Sequence, residues 1–205
     1  GHCAPVRREV PVPDDDLALA FGQGQLVQGR GRTGRHTVDL DLPDGPVNGG
    51  VLRLGPSASL SNGNSAVNLA TNTQIQVSGG SFATGGLVTA VTSAFVVNSG
   101  SANLANFRTN SDFSGTLRVN GGSLRVGDVN IRRNSAANPD FNSGFIVAGG
   151  VADVTTIALG TANSTGALTV SAGALNVSGR VTIGNQVTGG RGGAMRVLGG
   201  SFTST

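Results

Sequence analysis

The chain contains 205 residues, of which 34 are glycine, and it has no tryptophan and no tyrosine. Hydrophobic residues make up 38% and charged residues 12%, so the chain is too poor in large side chains for an ordinary globular core and too apolar for plain disorder. The formal net charge of +3, without a basic stripe, predicts no nucleic-acid partner, and no apolar run is long enough to predict a membrane-spanning segment.

Residues 1–48 differ from the rest of the chain and predict an extended segment. Prolines at positions 5, 11 and 13 discourage helix and interior strand. Arginines alternate with glycines at 29–35, where they could contact phosphate or an acidic glycan or simply form a solvated loop. Apolar residues alternate with aspartate at 38–42, the period-two pattern of one half-buried strand. We interpret the segment as a cap or an interaction tail, with a loosely attached leader as the alternative. Its possible interaction residues are Arg30, Arg32, Arg35, Val38, Leu40 and Leu42.

A loose repeat begins at about residue 49, written as apolar-x-apolar, a small residue, glycine, and a second apolar-x-apolar. Successive copies lie between 20 residues (Ile75 to Phe95) and 28 residues (Leu117 to Phe145) apart. This is the length of one turn of a solenoid built from repeated strands. The first apolar residues of the seven copies are Leu52, Ile75, Phe95, Leu117, Phe145, Leu168 and Met195.

The clearest copies predict three strands each, such as Leu117/Val119, Leu124/Val126 and Val129/Ile131. The apolar pairs point inward and the polar residues between them point outward, because side chains alternate along a strand. Residues 49–205 therefore predict an all-β fold, a right-handed parallel β-helix (β-solenoid) of about seven coils with three short strands per coil. An antiparallel hairpin stack explains the paired strands locally but not the recurring third strand.

The pattern Leu-x-Val-x-Gly-Gly-x-Leu-x-Val at residues 117–126 resembles the glycine-rich repeats of bacterial autotransporter passenger domains. It is especially similar to the autotransporter-associated β-strand repeats of very large surface proteins. The resemblance covers residues 49–205 and implies a right-handed β-helix displayed outside the cell, with roles in adhesion, surface coats or extracellular fibres. It carries no defined functional residues.

The sequence predicts no catalytic, metal or cofactor site. The repeat region has four carboxylates, and each falls in a different coil or loop, whereas glycan-cleaving β-helices cluster theirs. Asp153 alone is predicted at an outward strand position, one coil above Arg125, where an ion pair or solvation is expected. No aspartate follows the Gly-Gly pairs at a calcium-ligand position. The phenylalanines of the repeat region, Phe141 among them, are expected in or beside the core.

Three functions are compatible with the predicted fold and composition. The leading expectation is a non-enzymatic structural or adhesive β-solenoid on a bacterial cell surface, with other surface proteins or glycans as partners. The first alternative is a self-assembling subunit of an extracellular filament, in which residues 1–48 dock on a neighbouring subunit, because a terminal coil has an edge that needs a cap or another chain. The second is a polysaccharide-active β-helix enzyme.

Overall fold

A computed structural model describes residues 39–41, 50–64, 66–109, 115–133, 140–161, 164–185 and 192–205. These residues form thirteen strands and no helix. The strands are β1 Asp39–Asp41, β2 Val51–Leu54, β3 Ser59–Ser61, β4 Val67–Leu69, β5 Gln74–Ala90, β6 Ala94–Thr109, β7 Thr116–Val119, β8 Ser123–Ile131, β9 Gly144–Thr161, β10 Gly166–Val177, β11 Val181–Asn185, β12 Gly193–Val197 and β13 Ser201–Ser204. No helix of the described residues is long and apolar enough to cross a bilayer.

The coils stack in parallel, which confirms the β-solenoid and shows that the antiparallel hairpin alternative is wrong. All seven predicted repeat markers, from Leu52 to Met195, lie in one column, each opposite the next in the hydrogen-bonded register. This column forms the first sheet. The longest strands, such as β5 and β9, run through a corner and serve more than one sheet.

The second and third strands of each coil stack in the same way. The second sheet aligns Leu60, Phe82, Ala102, Leu124, Ala152, Leu175 and Phe202. The third sheet aligns Val67, Val88, Phe107, Val129, Ile157 and Val181. The described residues therefore make about six complete turns, and the seventh copy contributes the two strands β12 and β13.

The interior consists of the predicted inward residues. Phe95, Phe107 and Phe145 are 0–1% exposed, and the rings of Phe82 and Phe95 meet edge to face with their centroids 5.2 Å apart. Close packing of such rings with small β-branched residues fills a narrow core without large voids. The expectation for Phe141 is wrong: this ring is only half-buried and lies outside the coils.

Glycine is required at the corner between the first and second sheets. Gly100 and Gly122 have φ angles of 82° and 69°, in the left-handed region that disfavours other residues. A Cβ atom at Gly122 would collide with the carbonyl oxygen of Gly100, one coil away. The glycine pairs of the repeat thus allow the backbones of successive coils to approach closely at this corner.

The two ends of the described solenoid differ. Inward residues of the first coil, such as Leu52 and Leu69, are at most 8% exposed. In the last coils, Ile183 and Val197 are 45% and 48% exposed, although they continue the inward columns of Leu159 and Val170.

Candidate functional site: the outer polar surface and a corner cleft

The predicted interaction residues lie at the N-terminal end, and the structure describes only one of them. Leu40 lies in β1, which pairs antiparallel with β2 and places Leu40 opposite Leu52. Within the segment 38–42, where the sequence predicts one strand, a strand is therefore present over Asp39–Asp41. Arg30, Arg32, Arg35, Val38 and Leu42 lie outside the described residues.

A ladder of hydrogen-bonded polar side chains runs along the first-sheet side of the glycine corner. The Asn98 amide donates to Ser78 Oγ at 3.2 Å, and the Asn120 amide donates to Asn98 Oδ1 at 2.9 Å. Arg118 Nε donates to Asn120 Oδ1 at 2.6 Å. These residues come from three successive coils, and both asparagines are exposed. The bonds fix the side chains in one orientation across the coil boundaries.

A second polar ladder, of serines, lies on the other side of the same corner. Ser59, Ser81, Ser101 and Ser123 occupy equivalent outward positions in four successive coils. The hydroxyl of Ser81 donates to that of Ser59 at 2.9 Å. Neighbouring strands lie about 4.8 Å apart, so these hydroxyls repeat along the solenoid at that spacing. The outward surface therefore presents regular donors and acceptors in place of a single deep pocket.

The two strand aspartates of the repeat region are dispersed on the outer surface. Asp153 stands opposite Arg125 in the register, as predicted, but its carboxylate accepts a hydrogen bond from the Asn176 amide at 2.8 Å. Asp128 also occupies an exposed strand position, in the third sheet, because β8 continues through the corner at residue 127 without a break. The prediction that Asp153 alone does so is wrong. The Asp128 carboxylate accepts from Thr156 Oγ1 on the next coil.

Part of the outer face of the first sheet is covered. Val96, Ile146 and Thr169 point outward by register, yet each is only 5–6% exposed. Phe141 approaches the same face, and its ring centroid lies 4.1 Å from the guanidinium carbon of Arg196. This arrangement is a cation–π contact, favourable because a cation is attracted to the face of an aromatic ring.

A cleft opens at the third corner, between the third sheet and the first. Its lining comes from three successive turns and includes Thr109, Arg132, Arg133, Asp140, Ser143 and Thr165. The cleft measures about 230 Å³ including its open mouth. This corner is the predicted variable one, because the loop between the third and first strands is longest at residues 132–143.

The two arginines of the cleft have fixed backbones. The Arg132 N–H donates to Thr109 Oγ1 at 2.7 Å, and that hydroxyl donates to the Arg132 carbonyl at 2.9 Å. Arg133 and Thr165 exchange two backbone hydrogen bonds of 2.7 and 2.9 Å. Each arginine is thus anchored to the loop of a neighbouring turn. The guanidinium groups project from a rigid base.

Charges in the cleft do not cancel. Asp140 Oδ2 lies 3.5 Å from Arg133 Nη1, the one ion pair found among the described residues. The Asp140 carboxylate also accepts from the Asn142 N–H at 2.9 Å and from the Ser143 hydroxyl at 3.0 Å. The Nε atoms of Arg132 and Arg133 are shielded from solvent and have no hydrogen-bond partner among the described residues. Two guanidinium groups beside one carboxylate can attract an oxyanion.

Sequence reasoning missed this cleft, although it placed the surrounding loop. The available signal was two consecutive arginines directly after the third strand of a coil. Elsewhere, the part of the chain that the structure describes holds no group of three or more His, Cys, Asp or Glu side chains that could bind a metal ion.

A parallel β-solenoid is the class of protein that the fold defines. No protein-family model, curated protein or solved structure matches the chain. The resemblance to autotransporter passenger repeats therefore stays a prediction from the repeat pattern.

Proposed function

We propose that this chain is a non-enzymatic structural or adhesive β-solenoid displayed outside a bacterial cell, which acts through its repeated outer surface. The observation that carries the proposal is the polar ladder of Ser78, Asn98 and Asn120, which hydrogen bonds link from coil to coil. A partner that meets this surface finds side chains already held in position, so it loses less conformational entropy on binding.

The rigid backbone beneath the ladders supports the same proposal. Glycine corners, continuous parallel ladders and a core of fully buried phenylalanines hold the outward side chains at a fixed spacing. A solenoid with such a surface offers an extended binding area that many weak contacts can share. Surface proteins and glycans are the partners that this kind of area suits.

The proposal is tested with the purified chain immobilised on a sensor surface and exposed to polysaccharides and surface proteins extracted from bacterial envelopes. We expect saturable binding that weakens at least 10-fold in the double variant Asn98→Ala, Asn120→Ala. Asn68→Ala is the matched control, because Asn68 is also an exposed outward asparagine but lies in the third sheet. Equal losses in both variants, or no saturable binding at all, would contradict the proposal. Antibody labelling of intact source cells tests the location.

Self-association into a filament is the second candidate, and the exposed inward residues of the last coils favour it. Ile183 and Val197 continue inward columns yet are 45% and 48% exposed, and the outer edge of β12 has no strand beside it among the described residues. At the other end β1 adds to the edge of β2. The same segment could add to an edge of a neighbouring subunit, as β-augmentation does elsewhere.

Sedimentation velocity over a hundredfold range of concentration separates these candidates. A filament subunit forms species larger than dimers as the concentration rises, and Val197→Asp abolishes them because it places a charge at the apolar edge. Leu40→Pro is expected to do the same if β1 is the docking strand. A chain that remains monomeric throughout excludes the filament and leaves the adhesive function standing.

A further inference from the structure

We propose that the corner cleft at Arg132 and Arg133 binds the anionic group of an acidic polysaccharide, a carboxylate or a sulfate. The inference rests on the proposed adhesive function and names its ligand class. It concerns a surface distinct from the ladder at the glycine corner, since the cleft lies between the third and first sheets.

Charge is the first argument. The described lining has two guanidinium groups and one carboxylate, and that carboxylate already accepts hydrogen bonds from Asn142 and Ser143. Its 3.5 Å distance from Arg133 Nη1 is longer than a charge-assisted hydrogen bond of about 2.7–2.9 Å. The described lining residues therefore carry a net positive charge that a ligand can meet.

Unused hydrogen-bonding capacity is the second argument. The Nε–H groups of Arg132 and Arg133 are shielded from solvent and have no partner in the part of the chain that the structure describes, and a buried donor without a partner is unfavourable. A guanidinium presents its donors in a planar fork that matches the oxygens of a carboxylate or a sulfate. An oxyanion that enters the cleft would supply acceptors to these guanidinium groups.

Rigidity and size set the class of ligand. Thr109 and Thr165 anchor the backbones of the two arginines, so the site needs little ordering when it binds. The enclosed part of the cleft has a volume of only about 10 Å³, room for about one water molecule. The cleft therefore admits an oxygen of the charged group at its mouth, and the sugar ring lies on the surface outside.

The test follows the arginine side-chain Nε–H signals by NMR while sodium glucuronate or sodium sulfate is added to the full 205-residue chain. Sodium chloride keeps the ionic strength constant. We expect saturable shifts of the Arg132 and Arg133 signals, with affinity at least 10-fold weaker in Arg132→Gln and in Arg133→Gln. Arg53→Gln is the matched control, because Arg53 Nε already donates to Gln76 in the first sheet. We expect unchanged affinity there.

Asp140→Asn provides a test that misfolding cannot imitate. Removing the competing carboxylate is expected to tighten glucuronate binding several-fold. The inference is overturned if chloride alone reproduces the shifts, if the two glutamine variants bind as the parent chain does, or if Asp140→Asn weakens binding. If Arg132→Gln still binds envelope extracts as the parent chain does, the assignment of ligand binding to the cleft is refuted, but the adhesive function is not.

Discussion

Phe95 and Phe141 present the same side chain in two environments, and replacing each by alanine measures how much stability comes from the interior. Phe95 is 0% exposed and packs edge to face on Phe82 at 5.2 Å. Phe95→Ala should lower the free energy of unfolding by about 3–5 kcal/mol, because the paired coils on both sides prevent the cavity from closing. Phe141→Ala removes a half-exposed ring from Arg196 and should cost about 0.5–1 kcal/mol.

The measurement is urea unfolding followed by far-UV circular dichroism, which suits a chain without tryptophan or tyrosine. The two variants must show the same dependence on urea as the parent chain, so that a shift of the midpoint reports stability. A difference between the variants below about 1 kcal/mol, or a larger loss for Phe141→Ala, would refute the assignment of Phe95 to the core and Phe141 to the exterior.

Three further tests address other parts of the structure. Gly100→Ala should destabilise the fold by about 1–3 kcal/mol, because its φ is 82° and a Cβ would strike a carbonyl oxygen of the adjacent coil; Gly55→Ala, with open space around it, should be nearly neutral by the same urea assay. Thr169→Val should leave stability unchanged or raise it by up to about 1 kcal/mol, since the buried Thr169 hydroxyl has no hydrogen-bond partner among the described residues; a loss of that size in thermal unfolding would contradict this. Reducing-end assays on acidic and neutral glycans should detect no cleavage, and activity that disappears in Asp128→Asn or Asp153→Asn would overturn the non-enzymatic proposal.

The turn of the solenoid was predictable because its period is written directly in the sequence. In six of the seven coils the inward residues of the first two sheets are seven positions apart, as in Phe95 to Ala102 and Leu168 to Leu175. The glycines between these two positions mark the one place where the backbone turns sharply. Strand alternation then decides which residues face inward, so the core residues could be predicted from the sequence alone.

The covering of the first sheet and the corner cleft were not predictable by the same reasoning. Alternation shows that Ile146 faces outward, but not that this outward position is almost fully buried. Phe141 lies in a segment without periodicity, so nothing local indicates its contact with Arg196. Thr109 and Thr165 meet the two cleft arginines from neighbouring turns, and only the stacking of unequal loops brings them together.

Unequal loops at one corner also explain where specificity can reside on this solenoid. The spacing from the third column to the first ranges from seven residues, Val88 to Phe95, to sixteen, Val129 to Phe145. At the glycine corner a Cβ added at Gly100 or Gly122 would collide with the neighbouring coil, and six of the seven coils keep the same spacing there. The third corner can lengthen without disturbing the parallel ladders, because its loops leave the stack before rejoining the next strand. A charged cleft is therefore expected at the third corner, where the length of the loop varies. The glycine corner carries the regular polar ladders.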